Sequence, residues 1–260
     1  MYRAPRLMGS LSGPGGRSAR VTDRVRDRVK SLARNFGYDI RRIDSHVHKR
    51  PIDFIRSRGV DVVVDVGANV GQYAERLRSD GYAGWIISAE PVRAAFEILA
   101  ARAAADARWQ VLDLAFGEKQ GCSEINISEA SVFSSIRAQL PSAAAFNAES
   151  RVISRETIRM ARLDDIFPEL PGGRSFLKID TQGYEQQVLM GASGCLAKFL
   201  GVQMELPIVH LYEGTWRFHE AAAYMHERGF EISNIVPVNY DFADPVSLLE
   251  IDCIFCARRT

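Results

Sequence analysis

A glycine-containing turn follows a short apolar run near residue 62. The segment Asp65-Val-Gly-Ala-Asn-Val-Gly71 holds two glycines, which allow a tight turn and let a ligand approach the backbone. A helix that begins after such a turn offers free N–H groups and the positive end of its dipole. The spacing Gly67-x-x-x-Gly71 differs from the Gly-x-Gly-x-x-Gly dinucleotide motif, and no phosphate-loop Gly-Lys-Ser/Thr follows. The segment therefore favours a small zwitterionic ligand with its cation near Asp65, and it disfavours a nicotinamide-dependent oxidoreductase.

An acid at the end of the next apolar run supports this interpretation. Glu90 closes the run Trp85-Ile-Ile-Ser-Ala-Glu90, 23 residues after Gly67. An acid at about that distance, at the tip of the second strand, can accept hydrogen bonds from both ribose hydroxyls of an adenosine ligand. The turn and the acid together resemble the cofactor site of the Rossmann-like S-adenosylmethionine-dependent methyltransferases.

The second half of the chain carries short motifs that narrow this resemblance. In chain order they are Leu163-Asp-Asp-Ile-Phe167, Phe176-Leu-Lys-Ile-Asp-Thr-Gln-Gly-Tyr-Glu185, Val188-Leu-Met-Gly191, Val202-Gln-Met-Glu205 and Leu211-Tyr-Glu-Gly214. Together they resemble the FkbM methyltransferase family over about residues 60–257. The resemblance implies O-methylation of a hydroxyl, often on a sugar, a glycolipid or a polyketide product.

The resemblance also assigns site residues in this sequence. Phe116, just beyond the third predicted strand, is the candidate adenine contact, and a loop supplies Tyr212 and Glu213 as candidates to line the acceptor pocket. The positions expected to bind S-adenosylmethionine are Asp65, Gly67, Ala68, Asn69, Gly71 and Glu90.

Two carboxylates are the candidates for the chemical step. Asp180 and Glu205 each end a predicted parallel strand, at the edge where open α/β sheets bind ligands. A sulfonium methyl is already electrophilic, but an alcohol is scarcely ionised at neutral pH. One carboxylate could remove its proton, which typically contributes about 10²–10⁴-fold, or the pair could hold Mg²⁺ and lower its pKa. The alternative is that Asp180 only caps the following turn and helix.

A histidine in the loop after Glu205 is a third candidate. His210 could deprotonate the hydroxyl, since the reference pKa of histidine is about 6.5. A purely structural role is the alternative for a lone loop histidine.

The elements that must position these residues alternate between strand and helix. Such alternation is typical of βαβ units and a parallel sheet. We therefore expect an α/β protein with a Rossmann-like class I methyltransferase fold. Its sheet should be seven-stranded and mostly parallel, with a terminal antiparallel strand and helices on both faces. The predicted strands are 61–67, 85–90, 109–114, 176–180, 201–205, 230–236 and 249–257.

Residues 122–161 break the alternation. Residues 123–128 alternate like an edge or antiparallel strand, and residues 128–150 are rich in serine and alanine. A long insertion in a compact domain is often a lid or binding loop. We expect a substrate lid here, with a surface excursion as the alternative.

Charge divides the chain into a basic arm and an acidic body. Residues 1–60 hold 15 Lys and Arg against 5 Asp and Glu, whereas residues 61–260 hold 18 against 27. Residues 1–19 predict a disordered tail, residues 20–58 a basic amphipathic arm, and residues 59–260 the methyltransferase domain. The arm could contact an anionic membrane surface, or it could be solvated or pack on the acidic body.

Composition excludes several classes of protein. With 47% hydrophobic and 25% charged residues, the chain is typical of soluble globular proteins. We expect no membrane-spanning helix and no secretory signal, and four cysteines suit a reducing compartment, so a cytoplasmic location is expected. The body lacks interleaved basic and aromatic residues, so no nucleic-acid partner is expected. The oligomeric state stays open, as does a non-catalytic module that keeps the cofactor fold.

Overall fold

The structure, a computed structural model, describes residues 51–141, 148–209, 211–241, 244 and 246–258. The predicted tail, most of the predicted arm and His210 lie outside the described residues. None of the helices in the described part of the chain is long and apolar enough to cross a membrane.

Six helices and ten strands make up the regular structure of the described residues. The helices are α1 (Pro51–Arg58), α2 (Gln72–Ser79), α3 (Arg93–Ala103), α4 (Leu163–Ile166), α5 (Glu185–Met190) and α6 (Phe218–Glu227). The strands are β1 (Val62–Val66), β2 (Trp85–Ala89), β3 (Trp109–Leu112), β4 (Ala115–Phe116), β5 (Gly121–Ser128), β6 (Val152–Ala161), β7 (Ser175–Ile179), β8 (Phe199–Pro207), β9 (Phe230–Tyr240) and β10 (Leu248–Ala257). Short 3₁₀ turns lie at Ser131–Phe133, Ala148–Ser150, Phe167–Glu169 and Leu196–Lys198.

The main sheet has seven strands in the order β3-β2-β1-β7-β8-β10-β9. All neighbours are parallel except that β10 runs antiparallel to both β8 and β9. β1 and β7 are buried along their whole length, as expected for parallel strands covered on both faces. The predicted α/β fold class and the seven predicted strands are confirmed.

Alternation along the strands divides the core into two layers. Successive side chains of a strand point to opposite faces. Val63 therefore packs in one cluster with residues of α1, α2 and α3, whereas Val62 and Val64 pack in another with residues of α5 and α6. The predicted helices on both faces follow from this alternation.

Helix α1 packs on the sheet. Ile52 and Ile55 are each 1% exposed, and the ring centroids of Phe54 and Phe176 are 5.3 Å apart. A Cβ at Gly201 of β8 would lie 2.5 Å from the Phe54 ring, so the missing side chain makes room for the helix. Residues 51–58, assigned to the arm by the sequence analysis, thus share a core with the main sheet.

The insertion forms a second, smaller sheet. Strand β6 pairs in parallel with β4 and antiparallel with β5, which confirms the strand predicted at residues 123–128. The Ser131–Phe133 turn and the chain up to residue 141 follow β5, and residues 131–134 and Ile136 line the cavity described below.

The close approach at Gly201 gives a test of how tightly α1 is packed. We expect Gly201→Ala to lower the free energy of unfolding by about 1–3 kcal/mol, because overpacking forces Phe54 to move. Gly172→Ala is the matched control, since a Cβ there meets nothing within 4 Å. Urea denaturation of both variants measures the difference, and equal stabilities would contradict the packing described here.

Candidate active site

A cavity of about 520 Å³ opens at the carboxyl edge of the main sheet. Its wall is built from the turn after β1, the end of β2, strand β4, the Ser131–Phe133 turn, and the cavity-facing ends of β7, β8 and β10. The chain order of the strands reverses between β1 and β7. Open α/β sheets bind ligands at such a switch point.

The turn after β1 lies against the end of β7. Gly67 has φ 76°, and a Cβ there would lie 1.8 Å from the carbonyl oxygen of Asp180, so only glycine fits. Asn69 also has a positive φ, of 48°, which asparagine tolerates better than most residues. Gly67, Ala68 and Asn69 line the cavity, whereas Gly71 is buried at the start of α2 and is not among the lining residues.

Glu90 is fixed beside this turn. Its Oε2 accepts a hydrogen bond from the backbone N–H of Asn69 at 2.8 Å, and its Oε1 accepts one from Val92 at 2.9 Å. Burial raises the pKa of Glu90 to about 7, although both N–H donors act in the opposite direction. The predicted ribose-binding acid is therefore oriented at the cavity wall, with Pro91 and Val92 beside it.

Asp65 lies behind the turn rather than on the cavity wall. It is fully buried, with Lys178 Nζ 3.2 Å from its Oδ1 and the Ser88 hydroxyl donating to its Oδ2 at 3.3 Å. Burial raises the pKa of Asp65, and Lys178 offsets part of that effect. Asp65 thus forms an ion pair with Lys178, a partner that the sequence analysis did not assign to it.

Lys178 is a site residue that the sequence analysis did not assign. Its Nζ lies 3.3 Å from Asp180 Oδ2 and also donates to the carbonyl oxygen of Gly67 at 3.3 Å. Burial alone would lower the pKa of this ammonium, but the carboxylates of Asp180 and Asp65 outweigh burial and raise it. The sequence feature that could have identified Lys178 is its charge, since it lies within the run of residues that forms the fully buried strand β7.

Asp180 and Glu205 converge as the sequence analysis expected. Their strands β7 and β8 are neighbours, and both residues line the cavity. The Gln182 side-chain amide joins them: its Nε2 donates to Asp180 Oδ1 at 3.0 Å and to Glu205 Oε2 at 2.8 Å.

The two carboxyl groups titrate in opposite directions. Burial would raise the pKa of Asp180, but Lys178 and the Gln182 amide lower it below its usual value. Burial and then the neighbouring carboxylates, Asp180 first, hold the pKa of Glu205 well above its usual value. Of the two carboxyl groups, Asp180 therefore ionises more readily than Glu205.

The capping role considered for Asp180 belongs to another residue. Glu185 is 2% exposed, and its Oε1 accepts from the backbone N–H groups of Thr181 and Gly183 at 3.0 and 3.1 Å. It also accepts from the Thr181 hydroxyl at 3.0 Å. The turn before α5 is thus closed by Glu185, which leaves Asp180 directed to the cavity.

Donors already occupy the carboxylates of the predicted metal pair. Asp180 has Lys178 at one oxygen and Gln182 at the other, and the same amide holds Glu205. Among the described residues, no three His, Cys, Asp or Glu side chains form a group that could hold a metal ion. This donor set does not suit Mg²⁺, which needs oxygen ligands free to coordinate it.

The remaining predicted residues divide between cavity and surface. Phe116 is 1% exposed and lies on the cavity wall. Tyr212 is buried one layer behind, where its hydroxyl donates to Gln182 Oε1 at 2.9 Å. Glu213 is exposed and is not among the residues that line the cavity, while His210 lies outside the described residues.

The insertion contacts both halves of the site. The Ser131 hydroxyl donates to Asn69 Oδ1 at 3.1 Å, and the Ser135 hydroxyl donates to the carbonyl oxygen of Gln182 at 2.6 Å. The insertion thus covers the cavity and bridges the turn after β1 and the turn after β7.

A second group of polar residues was missed by sequence reasoning. Gln203, Asn239, Glu250 and Asp252 line the cavity next to Glu205. Asn239 Nδ2 donates to Glu250 Oε2 at 2.6 Å. In the sequence, these residues are marked only by the acids Glu250 and Asp252 within the otherwise apolar run of β10. The pairing that brings β8, β9 and β10 together joins distant parts of the chain, so no local spacing predicts it.

The fold and the site define an S-adenosylmethionine-dependent methyltransferase. Residues 65–232 match the family model described as the methyltransferase FkbM domain, which is more than half of the chain. The chain therefore belongs to the FkbM methyltransferase family. Among curated proteins, none matches the chain significantly.

Solved methyltransferase structures resemble the chain at low identity. Fibrillarin from Aeropyrum pernix, with S-adenosyl-L-methionine bound, is 14% identical, with a TM-score of 0.44 over 75% of this chain and 66% of that one. Magnesium protoporphyrin IX methyltransferase from Synechocystis PCC 6803, also with the cofactor bound, is 9% identical, with a TM-score of 0.41 over 95% and 87%.

The raised pKa of Glu90 predicts how cofactor binding depends on pH. We expect the ribose hydroxyls to donate to the Glu90 carboxylate, which favours its ionised form, so S-adenosylmethionine affinity should fall as the pH drops below about 7. We expect the Kd to be about tenfold weaker near pH 6 than near pH 7.5, measured by calorimetry.

Two variants separate Glu90 from other titrating groups. Glu90→Gln should weaken binding and remove most of this pH dependence, whereas Glu97→Gln on the exposed side of α3 should behave like the unaltered chain. The same pH dependence in Glu90→Gln would show that another group is responsible.

Proposed function

We propose that this enzyme methylates a hydroxyl of a polyhydroxylated acceptor, a sugar in a glycolipid or other glycoside. The observation that carries the proposal is the polar end of the cavity. Carboxylates and amides are the groups that pair with sugar hydroxyls, since they accept or donate several hydrogen bonds each. The residues concerned are Gln203, Glu205, Asn239, Glu250 and Asp252.

The polar residues at this end of the cavity also help to distinguish a sugar acceptor from a polyketide acceptor. Burial raises the pKa values of Glu250 and Asp252, which favours their protonated forms, and a protonated carboxyl group can donate as well as accept a hydrogen bond. A polyketide hydroxyl on a largely apolar body would use few of these polar groups. The carboxyl and amide groups of this wall therefore support a neutral, hydroxyl-rich acceptor.

The residues around the cavity suit the cofactor. The turn at Gly67 leaves room beside the backbone, Glu90 presents an oriented acid, and Phe116 offers an apolar surface. When bound, S-adenosylmethionine supplies a methyl group activated by its sulfonium. These residues would hold its nucleoside at the β1–β2 side of the cavity.

Asp180 and Glu205 then serve the acceptor. In methyl transfer, the cofactor would supply the methyl carbon and its sulfur would keep the electron pair of the carbon–sulfur bond, while the acceptor oxygen would lose its proton. The hydroxyl proton would pass to the Asp180–Glu205 pair, in which Lys178 and the Gln182 amide lower the pKa of Asp180. Alignment of oxygen, carbon and sulfur supplies a large part of the acceleration, about 7–11 kcal/mol in well-oriented systems.

Transfer of labelled methyl tests the proposal directly. The enzyme is incubated with tritiated S-adenosylmethionine and a whole-cell glycolipid extract, and the labelled product is hydrolysed and its methylated sugar identified. Label in a sugar O-methyl group is the expected result. Label confined to a polyketide, or to nucleic acid offered in parallel, would overturn the acceptor assignment.

The carboxyl pair predicts the response to substitution and to chelation. Asp180→Asn and Glu205→Gln should each lower transfer about 10²–10⁴-fold, because each removes one carboxyl group of the pair that takes the hydroxyl proton. Asp165→Asn, on the exposed side of α4, is the control.

Treatment with a chelator distinguishes two roles of Asp180 and Glu205: accepting a proton and binding a metal ion. Since donors already hold the Asp180 and Glu205 carboxylates, prolonged treatment with EDTA should leave transfer unchanged. Loss of transfer that added Mg²⁺ restores would instead favour the metal alternative.

We further propose that the enzyme works in the cytoplasm and meets its acceptor at a membrane surface. Residues 20–36 hold six Lys and Arg against two Asp. Deleting residues 1–36 should weaken binding to phosphatidylglycerol vesicles at least tenfold, since each basic residue near an anionic surface contributes about 1 kcal/mol.

The matched control deletes residues 1–19 alone, which keeps the amphipathic pattern. Co-sedimentation measures binding, and calorimetry with S-adenosylmethionine shows whether the cofactor site is intact. Equal vesicle binding by both deletions would remove residues 20–36 from the proposal.

A further inference from the structure

Gln182 contacts both candidate catalytic carboxyl groups. It follows β7 by three residues and has φ 53°, a left-handed conformation that is unusual for glutamine. The Ser135 hydroxyl of the insertion donates to its carbonyl oxygen at 2.6 Å. The surrounding structure therefore holds this backbone conformation in place.

The side chain of Gln182 uses both ends of its amide. Its NH₂ group donates to Asp180 and Glu205, and its Oε1 accepts from the Tyr212 hydroxyl at 2.9 Å. The Tyr212 hydroxyl also lies 3.3 Å from the carbonyl oxygen of Phe133. If the amide group were rotated by 180°, Oε1 would face the two carboxyl groups, and the hydrogen bond from the Tyr212 hydroxyl would be lost.

We propose that Gln182, oriented by Tyr212, is the residue that positions Asp180 and Glu205 as one proton-accepting unit. The inference rests on the proposed function, because it concerns the groups that would take the hydroxyl proton. Gln182 does not itself need to touch the acceptor. Its amide fixes the position of two carboxyl groups that come from neighbouring strands, because one NH₂ group donates to both.

The network also links the insertion to the chemistry. Ser135 and Phe133 belong to the segment that covers the cavity, and they contact Gln182 and Tyr212 respectively. The carboxyl pair is therefore fully arranged only while this segment is in its observed position.

A double-mutant cycle tests the positioning role. Gln182→Ala should lower the kcat of methyl transfer into the glycolipid extract about 100-fold, in line with the cost of a small misplacement at a reacting centre. The KM and the calorimetric Kd for S-adenosylmethionine should stay within about twofold of the unaltered chain, because Glu90 and the turn after β1 are untouched. A merely structural role would change both parameters together.

Tyr212→Phe removes only the hydroxyl and should lower kcat about tenfold, with no further loss in the Gln182→Ala background. Tyr224→Phe on α6, outside the cavity wall, is the control and should leave kcat unchanged. Additive losses would show that Tyr212 does not act through Gln182. Gln182→Glu keeps the shape but replaces the donor, so full activity in this variant would overturn the bridging role.

A measurement without acceptor separates this inference from the proposed function. The side-chain ¹⁵N–¹H resonances of Gln182 should resolve as two protons protected from exchange, and Tyr212→Phe and Glu205→Gln should each shift them. If the Gln182 amide protons exchange rapidly and neither substitution shifts their resonances, the proposed positioning role of Gln182 is wrong. An enzyme with these resonances intact that labels no glycolipid would instead reject the proposed acceptor and leave the bridge standing.

Discussion

The ammonium of Lys178 connects the two halves of the site. It lies within 3.3 Å of Asp65, of Asp180 and of the carbonyl oxygen of Gly67, so one buried cation joins β1, β7 and the turn between β1 and α2. Removing one partner of such a buried pair typically costs about 3–5 kcal/mol, because the remaining charge is left uncompensated. The close approach of Gly67 to the Asp180 carbonyl is possible only with the two strands held in this register.

The charge of Lys178 also sets the protonation of the carboxyl groups beyond it. Asp180 is kept ionised by the adjacent ammonium, and its negative charge in turn raises the pKa of Glu205. The turn after β1 and the Asp180–Glu205 pair are thus coupled electrostatically through a single side chain.

The insertion gives the cavity its outer wall. Two serine hydroxyls tie it to the turn after β1 and to the turn after β7, so it packs over both at once. Beyond it, the acids and amides of β8, β9 and β10 make the acceptor end polar, whereas Phe116 and Val92 make the nucleoside end apolar. This division of the cavity fits a zwitterionic nucleoside at one end and a hydroxyl-rich molecule at the other.

The amino-acid sequence by itself determined the alternation of strands and helices, the glycine turn, the acid at the tip of β2, and the strand-end positions of Asp180 and Glu205. These features depend on residues close together in the chain, where periodicity and spacing carry the information. Tertiary structure decided the rest: that Lys178 lies between Asp65 and Asp180 and donates to the Gly67 carbonyl, and that a glutamine amide joins Asp180 to Glu205. Gln182 and Glu205 are 23 residues apart in the chain, and Lys178 and Gly67 are 111 apart. Contacts at such separations arise only when strands pair and are packed, so no local pattern in the sequence could specify them.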